Sequence, residues 1–344
     1  MSGPQGKDGG GDGGEKPAYG QYQFDLYAQA IMAGKKPIVT TDPNKLEQAA
    51  RDAMNPEAFN YVFGGAGEQA TMHANRLAFR QWKVIPRMLR PTLPRDLSVK
   101  LFGQTYDTPI LMAPIGVQGA YHPDGEKGVA TACASLNVPF IYSTASTTPL
   151  EDVAAAADRS LTNGDEDATT TTTTASQDDK KTATRRAGSS STGPSDTITA
   201  SLLARARAAG CTVLVVTLDT FTMSWRPLDL DGGGDPAFRA QFAAQSGGDA
   251  VEDNPIMASR AWLAEVFSGH AHGWGRPGDA AAAVGTGRSC SRGWTGRCRA
   301  GGFAEIVEAV GDKLTVLFDS GIRTGVDVLK ALALGARPCL LGGL

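Results

Sequence analysis

Five stretches of this chain are continuously apolar and end on small or polar residues: "TPILMAPIGVQGA", "PFIYSTAST", "CTVLVVTLD", "LTVLFDSG" and "RPCLLGG". A strand with one wet face alternates apolar and polar residues. These stretches do not alternate, so each one has to be covered on both faces. Helical patterns lie between them: "GEKGVATACASLNV", "TPLEDVAAAA", "SDTITASLLARARAAG", "FAEIVEAVG" and "TGVDVLKALALGA". The second of these starts with Thr148 and Glu151 at the spacing of a capping box. Buried strands alternating with amphipathic helices predict a parallel α/β sheet.

The strands fall near 109–116, 139–145, 212–219, 315–321 and 338–343. Their C-terminal ends carry Gly116, Ser143, Thr217, Asp219, Asp319 and Gly321. Small and polar residues at those ends suit a (β/α)8 TIM barrel, whose active site lies on that face. Only five of the eight strands are recognisable, so the barrel is expected to be incomplete. An open doubly wound sheet is the alternative, although no Gly-rich dinucleotide fingerprint follows the first strand.

The rest of the chain divides by composition. Residues 1–20, "MSGPQGKDGGGDGGEKPAYG", lack an apolar segment, so they read as a disordered tail and not as a secretory signal. Residues 21–344 form one domain, interrupted by a polar, threonine-rich low-complexity insert at 159–195 and an atypical Gly/Arg/Cys-rich segment at 275–302. The insert is too polar to bury enough surface to fold. Within the domain, "TTDPNKLEQAARDAM" predicts a helix capped by Asp42 with Pro43 in its first turn. "NPEAFNYVFGGAG" predicts a second helix stopped by Gly64 and Gly65. The net charge of −3 implies no nucleic-acid partner, and no apolar run reaches the roughly 18 residues of a membrane span. Five scattered cysteines fit a reducing compartment, and a cytoplasmic location is expected from the lack of a signal or membrane segment.

"FDSGIRTGVDVLKALALGARPCLLGG" carries the clearest chemistry. Its strand ends on Asp319 beside Gly321, and a helix opens at Thr324. The backbone N–H groups of such a loop can hold a phosphate, with Arg323 beside it and Gly342 flanking; ordinary strand-helix punctuation is the plainer reading. Taken alone, Tyr61 reads as a core aromatic and Arg226 as a solvated loop residue. His270 and His272 lack a third ligand, and Cys290 and Cys298 lack a CxxC step, so no metal site is expected.

Together, "YVFGGAGEQATMHANRLAFRQWKVIPRMLR", "PILMAPIGVQGAYHPDGE", "VPFIYSTAST", "LVVTLDTFTMSWRPLDLD" and "VLFDSGIRTGVDVLKALALGA" resemble the FMN-dependent α-hydroxy-acid oxidase/dehydrogenase family. The closest likeness is to its lactate 2-monooxygenase-like branch. The resemblance implies a TIM barrel carrying FMN at its C-terminal face, with a small L-2-hydroxy acid such as lactate and molecular oxygen as reaction partners. It implies that Tyr61 and Arg226 bind the substrate carboxylate. Pro114, Ile115 and Gly116 would run along the flavin, and Ser143 and Thr217 would bond its ring. Asp319, Ser320, Gly321, Arg323 and Gly342 would hold the ribityl chain and phosphate. Glycine at position 116 favours the monooxygenase branch. Family members commonly form tetramers, so a homo-oligomer is expected.

The departures are as informative as the matches. A Gln-Leu-Tyr strand expected after Ala157 is replaced by the threonine-rich insert. The family's fifth-strand lysine is missing, as is its Ser-Asn-His-Gly-Gly-Arg motif with the catalytic base and a second arginine. Gly343 stands where a phosphate-binding arginine is expected, and the final helices are absent. None of His73, His122, His270 and His272 lies in the required motif, so no catalytic residue is assigned. "WTGRCRAG", reverse-translated and shifted by one base, can read Val-Asp-Gly-Gln-Val-Gln-Gly-Gly, close to the residues that come after the histidine motif in the family. The chain is therefore expected to be a family member without its base. The alternatives are an FMN-binding pseudoenzyme or the product of a misread gene, and more remotely an IMP dehydrogenase-like barrel enzyme.

Overall fold

In the computed structural model the described residues are 20–91, 95–101, 103–163, 186–190, 196–216, 222–232, 300–312 and 315–342, with positions 264, 267 and 269. The expectations for the tail at 1–19, for Thr217 and Asp219, for His270 and His272 and for residues 275–299 lie outside them.

Four helices come first: α1 (Gln21–Ala33), α2 (Pro43–Ala53), α3 (Pro56–Gly64) and α4 (Ala70–Gln81). Local chemistry sets their ends. The Asp42 carboxylate accepts from Asn44 N–H at 3.0 Å, and the Asn55 side chain does the same for Glu57 at 2.9 Å. Proline follows each cap, and Gly65 at φ 60° ends α3. Next come the antiparallel hairpin β1 (Val99–Leu101) and β2 (Gln104–Tyr106), turning at Gly103 with φ 77°.

Then the parallel sheet begins. Its strands are β3 (Ile110–Met112), β4 (Ile141–Ser143), β5 (Arg186–Ser190), β6 (Cys211–Val216) and β7 (Cys339–Leu341). Helices α5 (Gly125–Ser135), α6 (Leu150–Asn163), α7 (Asp196–Ala208), the short α8 (Pro227–Asp231), α9 (Ala300–Val310) and α10 (Gly325–Ala333) connect them. β4, β5 and β6 form one parallel ladder, and a bridge from Met112 to Phe140 links β3 to it. β7 pairs parallel with β3 on the other side, and Phe318 bridges to Cys339. The last strand of the chain therefore pairs with the first strand of the parallel sheet.

Alternation along each strand explains why both faces are apolar. Leu111, Ala113, Ile141, Val215, Leu317 and Leu340 pack into one cluster. Their neighbours of opposite parity go outward: Phe140 and Tyr142 meet α5 and α6, while Phe318 and Cys339 meet α4, α9 and α10. Val99, Leu101 and Tyr106 of the hairpin join the inner cluster and plug it. Each large apolar side chain in it contributes about 1.5–3 kcal/mol.

Three expectations change. Of the five expected strands four form and the one near 315–321 contributes only the bridge at Phe318, while the unexpected β5 lies inside the stretch 159–195 expected not to fold, into which α6 also extends as far as Asn163. A central strand needs only backbone to complete its ladders, so "RAGSS" fills the slot between apolar neighbours without an apolar run of its own. The capping box at Thr148 and Glu151 does not form in the expected way. The Thr148 hydroxyl donates to Glu126 at 2.8 Å, and Glu151 takes a bidentate bond from Arg205 at 2.7 and 2.9 Å. Helix α9 starts at Ala300, inside the atypical segment. Among the described residues no strand lies between β6 and residue 315, and no helix is long and apolar enough to cross a membrane.

Candidate functional site

Three loops leave the C-terminal ends of the parallel strands. The first follows β3 and carries Pro114, Ile115 and Gly116, all half-buried. A Cβ on Gly116 would stand 2.7 Å from the Cβ of Ala145, so the backbones of two loops meet here without a side chain between them. Val117 follows at φ 55° and ψ 36°, the left-handed region that a β-branched residue avoids, at a cost of roughly 1–3 kcal/mol. Its N–H donates to Ala145 O at 2.8 Å. Gln118 closes the loop by donating its side-chain amide to Ile115 O at 3.1 Å.

The second loop follows β4. Ser143 accepts from Ala145 N–H on its hydroxyl at 3.1 Å and from Ser146 N–H on its carbonyl at 3.1 Å. Glu126, fully buried in the first turn of α5, joins this loop to the first. Its carboxylate accepts from the N–H groups of Gln118 and Thr147 at 3.0 and 2.9 Å, and from the Thr147 and Thr148 hydroxyls at 2.9 and 2.8 Å.

The third loop runs from Asp319 to Thr324. Ser320 at φ 88° and Gly321 at φ 73° give it a tight left-handed turn, and a Cβ on Gly321 would lie 3.1 Å from Asn75 O. Ser320 N–H donates to Asp319 at 2.7 Å. The Thr324 hydroxyl accepts from Asp327 N–H at 3.3 Å, forming a capping box that starts α10. The Asp327 carboxylate accepts in turn from Arg323 N–H at 3.1 Å and Thr324 N–H at 3.0 Å. Arg76 of α4 donates to Asp327 at 3.1 Å and to Gly321 O. Burial pushes the Asp327 carboxyl up, but these N–H and guanidinium donors outweigh it and hold the group below the usual carboxylate range. The Arg323 guanidinium is half-buried, which pulls it below its ordinary value, and Glu47 of α2 lies 3.7 Å away. Gly342 follows β7, where a Cβ would meet only Ala113 at 3.7 Å.

Tyr61 and Arg226 are also brought together, on α3 and the loop before α8. The guanidinium lies 4.1 Å above the Tyr61 ring and donates to Tyr61 O. Leu228 of α8 packs against Gly64, which fixes that approach. The Arg226 Nε is buried and has no hydrogen-bond partner among the described residues.

Sequence reasoning therefore placed Pro114 to Gly116, Ser143, Asp319 to Gly321, Arg323, Gly342 and the Tyr61–Arg226 pair in regions the structure brings into local groups. It missed the residues that hold those groups: Glu126, Gln118, Arg76 and Asp327. Only Asp327 had a local signal, the T-x-x-D spacing after Thr324. His122 is largely exposed, its Nδ1 accepting from Asp124 N–H at 3.1 Å, and His73 is exposed on α4. The buried thiols are also inert: burial pushes Cys133 up to about 11, and burial with Asp319 nearby pushes Cys339 up to about 12. Among the described residues no group of side chains has the makings of a metal site.

The chain is similar to known proteins in sequence and in fold. The profile of the family described as FMN-dependent dehydrogenase matches residues 50–271 and 302–344. An FMN-dependent alpha-hydroxy acid dehydrogenase of Penicillium citrinum is 39% identical, with 94% of this chain and 84% of the relative covered. That alignment runs over 367 residues, more than the 344 of this chain, so the relative carries residues that this chain lacks. An L-lactate oxidase of Lysinibacillus sphaericus is 31% identical, covering 92% of this chain and 84% of the relative. Among solved structures, a crystal structure of mandelate oxidase with (S)-2-phenylpropionate superposes with a TM-score of 0.63 at 28% identity, covering 88% of this chain and 85% of the other.

Proposed function

The chain belongs to the FMN-dependent dehydrogenase family, and from that premise we propose that it binds FMN and a small L-2-hydroxy acid such as lactate but lacks the base needed to oxidise it. The observation that carries the proposal is the gap in the family match at residues 272–301, which coincides with the atypical segment 275–302. The family's histidine and second arginine belong in that interval; of the two described histidines, His73 is exposed on α4, and His122, at the far end of the loop after β3, is largely exposed with its Nδ1 accepting from Asp124 N–H.

FMN is the family's cofactor, and the three loops fit it. Gly116 offers bare backbone to a flat ring, because Ala145 leaves no room for a side chain there. The Ser143 hydroxyl stands at the matching end of the next strand. Arg323 supplies a half-buried cation for a phosphate at the start of α10, where the helix dipole also favours an anion. The N–H groups of Ser320, Arg323 and Thr324 are engaged within the loop, so the Arg323 side chain carries most of the charge match. The complete eight-stranded barrel belongs to the same proposal. It is supported by the pairing of β7 with β3, the contact that closes such a barrel.

The cofactor supplies a two-electron acceptor for oxidation of the hydroxyl-bearing carbon, with oxygen as terminal oxidant in an oxidase or 2-monooxygenase. Arg226 positions the substrate, since its unpartnered Nε suits one oxygen of a carboxylate. Tyr61 holds the guanidinium through its ring and its carbonyl. Taking a proton from the substrate hydroxyl needs a base that these residues do not provide, and losing such a group lowers rates by several orders of magnitude.

Purified full-length protein is expected to be yellow and to keep its visible flavin absorbance after anaerobic addition of L-lactate. Bleaching would overturn the missing base, and a colourless folded protein would overturn FMN binding. The same gap favours a second reading, a wrong-frame or mis-spliced catalytic segment. Transcript sequencing decides it: a continuous message encoding residues 275–302 in this frame excludes a misreading.

A further inference from the structure

Resting on the proposal of FMN binding, we infer that Glu126 is the positioning residue that sets the two ring-facing loops, acting through Gln118. Glu126 is 0% exposed. Among the described residues Glu126 has no ion pair, and a buried carboxylate in that state is retained only if donors surround it, and four do. Those donors come from both loops. Two backbone N–H groups meet one carboxylate oxygen and two threonine hydroxyls meet the other.

The route to the site is short. Glu126 fixes the main chain of Gln118, and the Gln118 side chain then holds Ile115 O. Between those points lie Gly116, pressed against Ala145, and Val117 in its left-handed conformation. A valine keeps that conformation only while its surroundings impose it, and here the imposing groups are Ala145 O on one side and the Glu126-bound Gln118 on the other. The phosphate-side loop has its own separate anchor, the Arg76–Asp327 pair. One buried carboxylate therefore sets the ring end of the proposed site, and another sets the phosphate end.

The two ends can be probed separately by comparing FMN with riboflavin, which keeps the ring and lacks the phosphate. Dissociation constants are measured on the full cofactor-free chain by quenching of flavin fluorescence. Glu126→Ala is expected to weaken both ligands by the same factor, about tenfold or more. Glu126→Gln keeps an acceptor oxygen for the two N–H donors and restores binding to within about threefold of wild type. Asp327→Asn is expected to weaken FMN and leave riboflavin unchanged. Gln118→Met, which leaves the carboxylate and its donors in place, serves if Glu126→Ala does not fold; it too is expected to weaken riboflavin and FMN equally. Riboflavin affinity unchanged in these ring-side variants, or a loss confined to FMN, overturns the role of Glu126 alone. A wild-type chain that binds neither flavin overturns the proposed FMN binding and this inference together.

Discussion

Gly116 is glycine because Ala145 occupies the space a side chain would need, 2.7 Å from the position of a Cβ. That crowding gives glycine at position 116 a packing role in this chain beside the branch it favours by resemblance. Gly116→Ala is expected to destabilise the chain by about 1–3 kcal/mol in urea unfolding, whichever reaction its relatives perform. Asp327 makes a pH prediction. Its folded value lies below the ordinary one, so its stabilisation is present above the unfolded value of about 3.9 and is lost as pH falls through the lower folded value. Asp327→Asn should lower the thermal midpoint at neutral pH and flatten its decline below about pH 4. Glu47 competes with a phosphate for Arg323, so Glu47→Gln should tighten FMN binding a few-fold, most clearly at low ionic strength. At this scale the cap at Asp42 and the stop at Gly64 and Gly65 were legible in sequence, because each acts on its nearest neighbours. Arg76 was not legible, because Asp327 and Gly321 reach it only through the tertiary fold.

Among the elements, the apolar runs of β3, β4, β6 and β7 and the helices α2, α3, α5, α6, α7, α9 and α10 could be read directly, since period and burial leave a strong local pattern, whereas α1 and α4 were not read. β5 could not. Its backbone pairs with a ladder on either side, and a backbone ladder leaves no trace in side-chain character. Gly188→Pro tests that the strand is central: it removes a ladder N–H and is expected to cost about 3 kcal/mol of unfolding free energy, against well under 1 kcal/mol for an exposed loop. The hairpin β1–β2 escaped notice for a related reason, since three-residue strands are too short to show a period. The α6–α7 contact illustrates the opposite limit. Arg205 and Glu151 make a well-formed bidentate pair, and the arginine holds the Glu151 carboxyl below its ordinary value. Both side chains are more than 40% exposed, so Arg205→Ala should cost less than about 1 kcal/mol.

For the molecule as a whole, FMN bound in the proposed site would join loops that belong to distant parts of the sequence. A ligand that binds only the folded state stabilises it by about 2.7 kcal/mol at a hundredfold excess over its dissociation constant. The thermal midpoint should therefore rise with FMN concentration even if no turnover is ever seen, which separates cofactor binding from catalysis. The pairing of β3 with β7 has a consequence in time. Ile110 finds its partner in Cys339, near the far end of the chain. At about 5–20 residues per second, a ribosome that has delivered Ile110 needs on the order of ten to fifty seconds more to deliver that partner. Throughout that wait the edge of β3 stands open, and the helices made meanwhile have half a sheet to rest on. Such a chain is most vulnerable while it is being born, and its yield in a cell should depend on whatever shelters that edge until the last strand arrives.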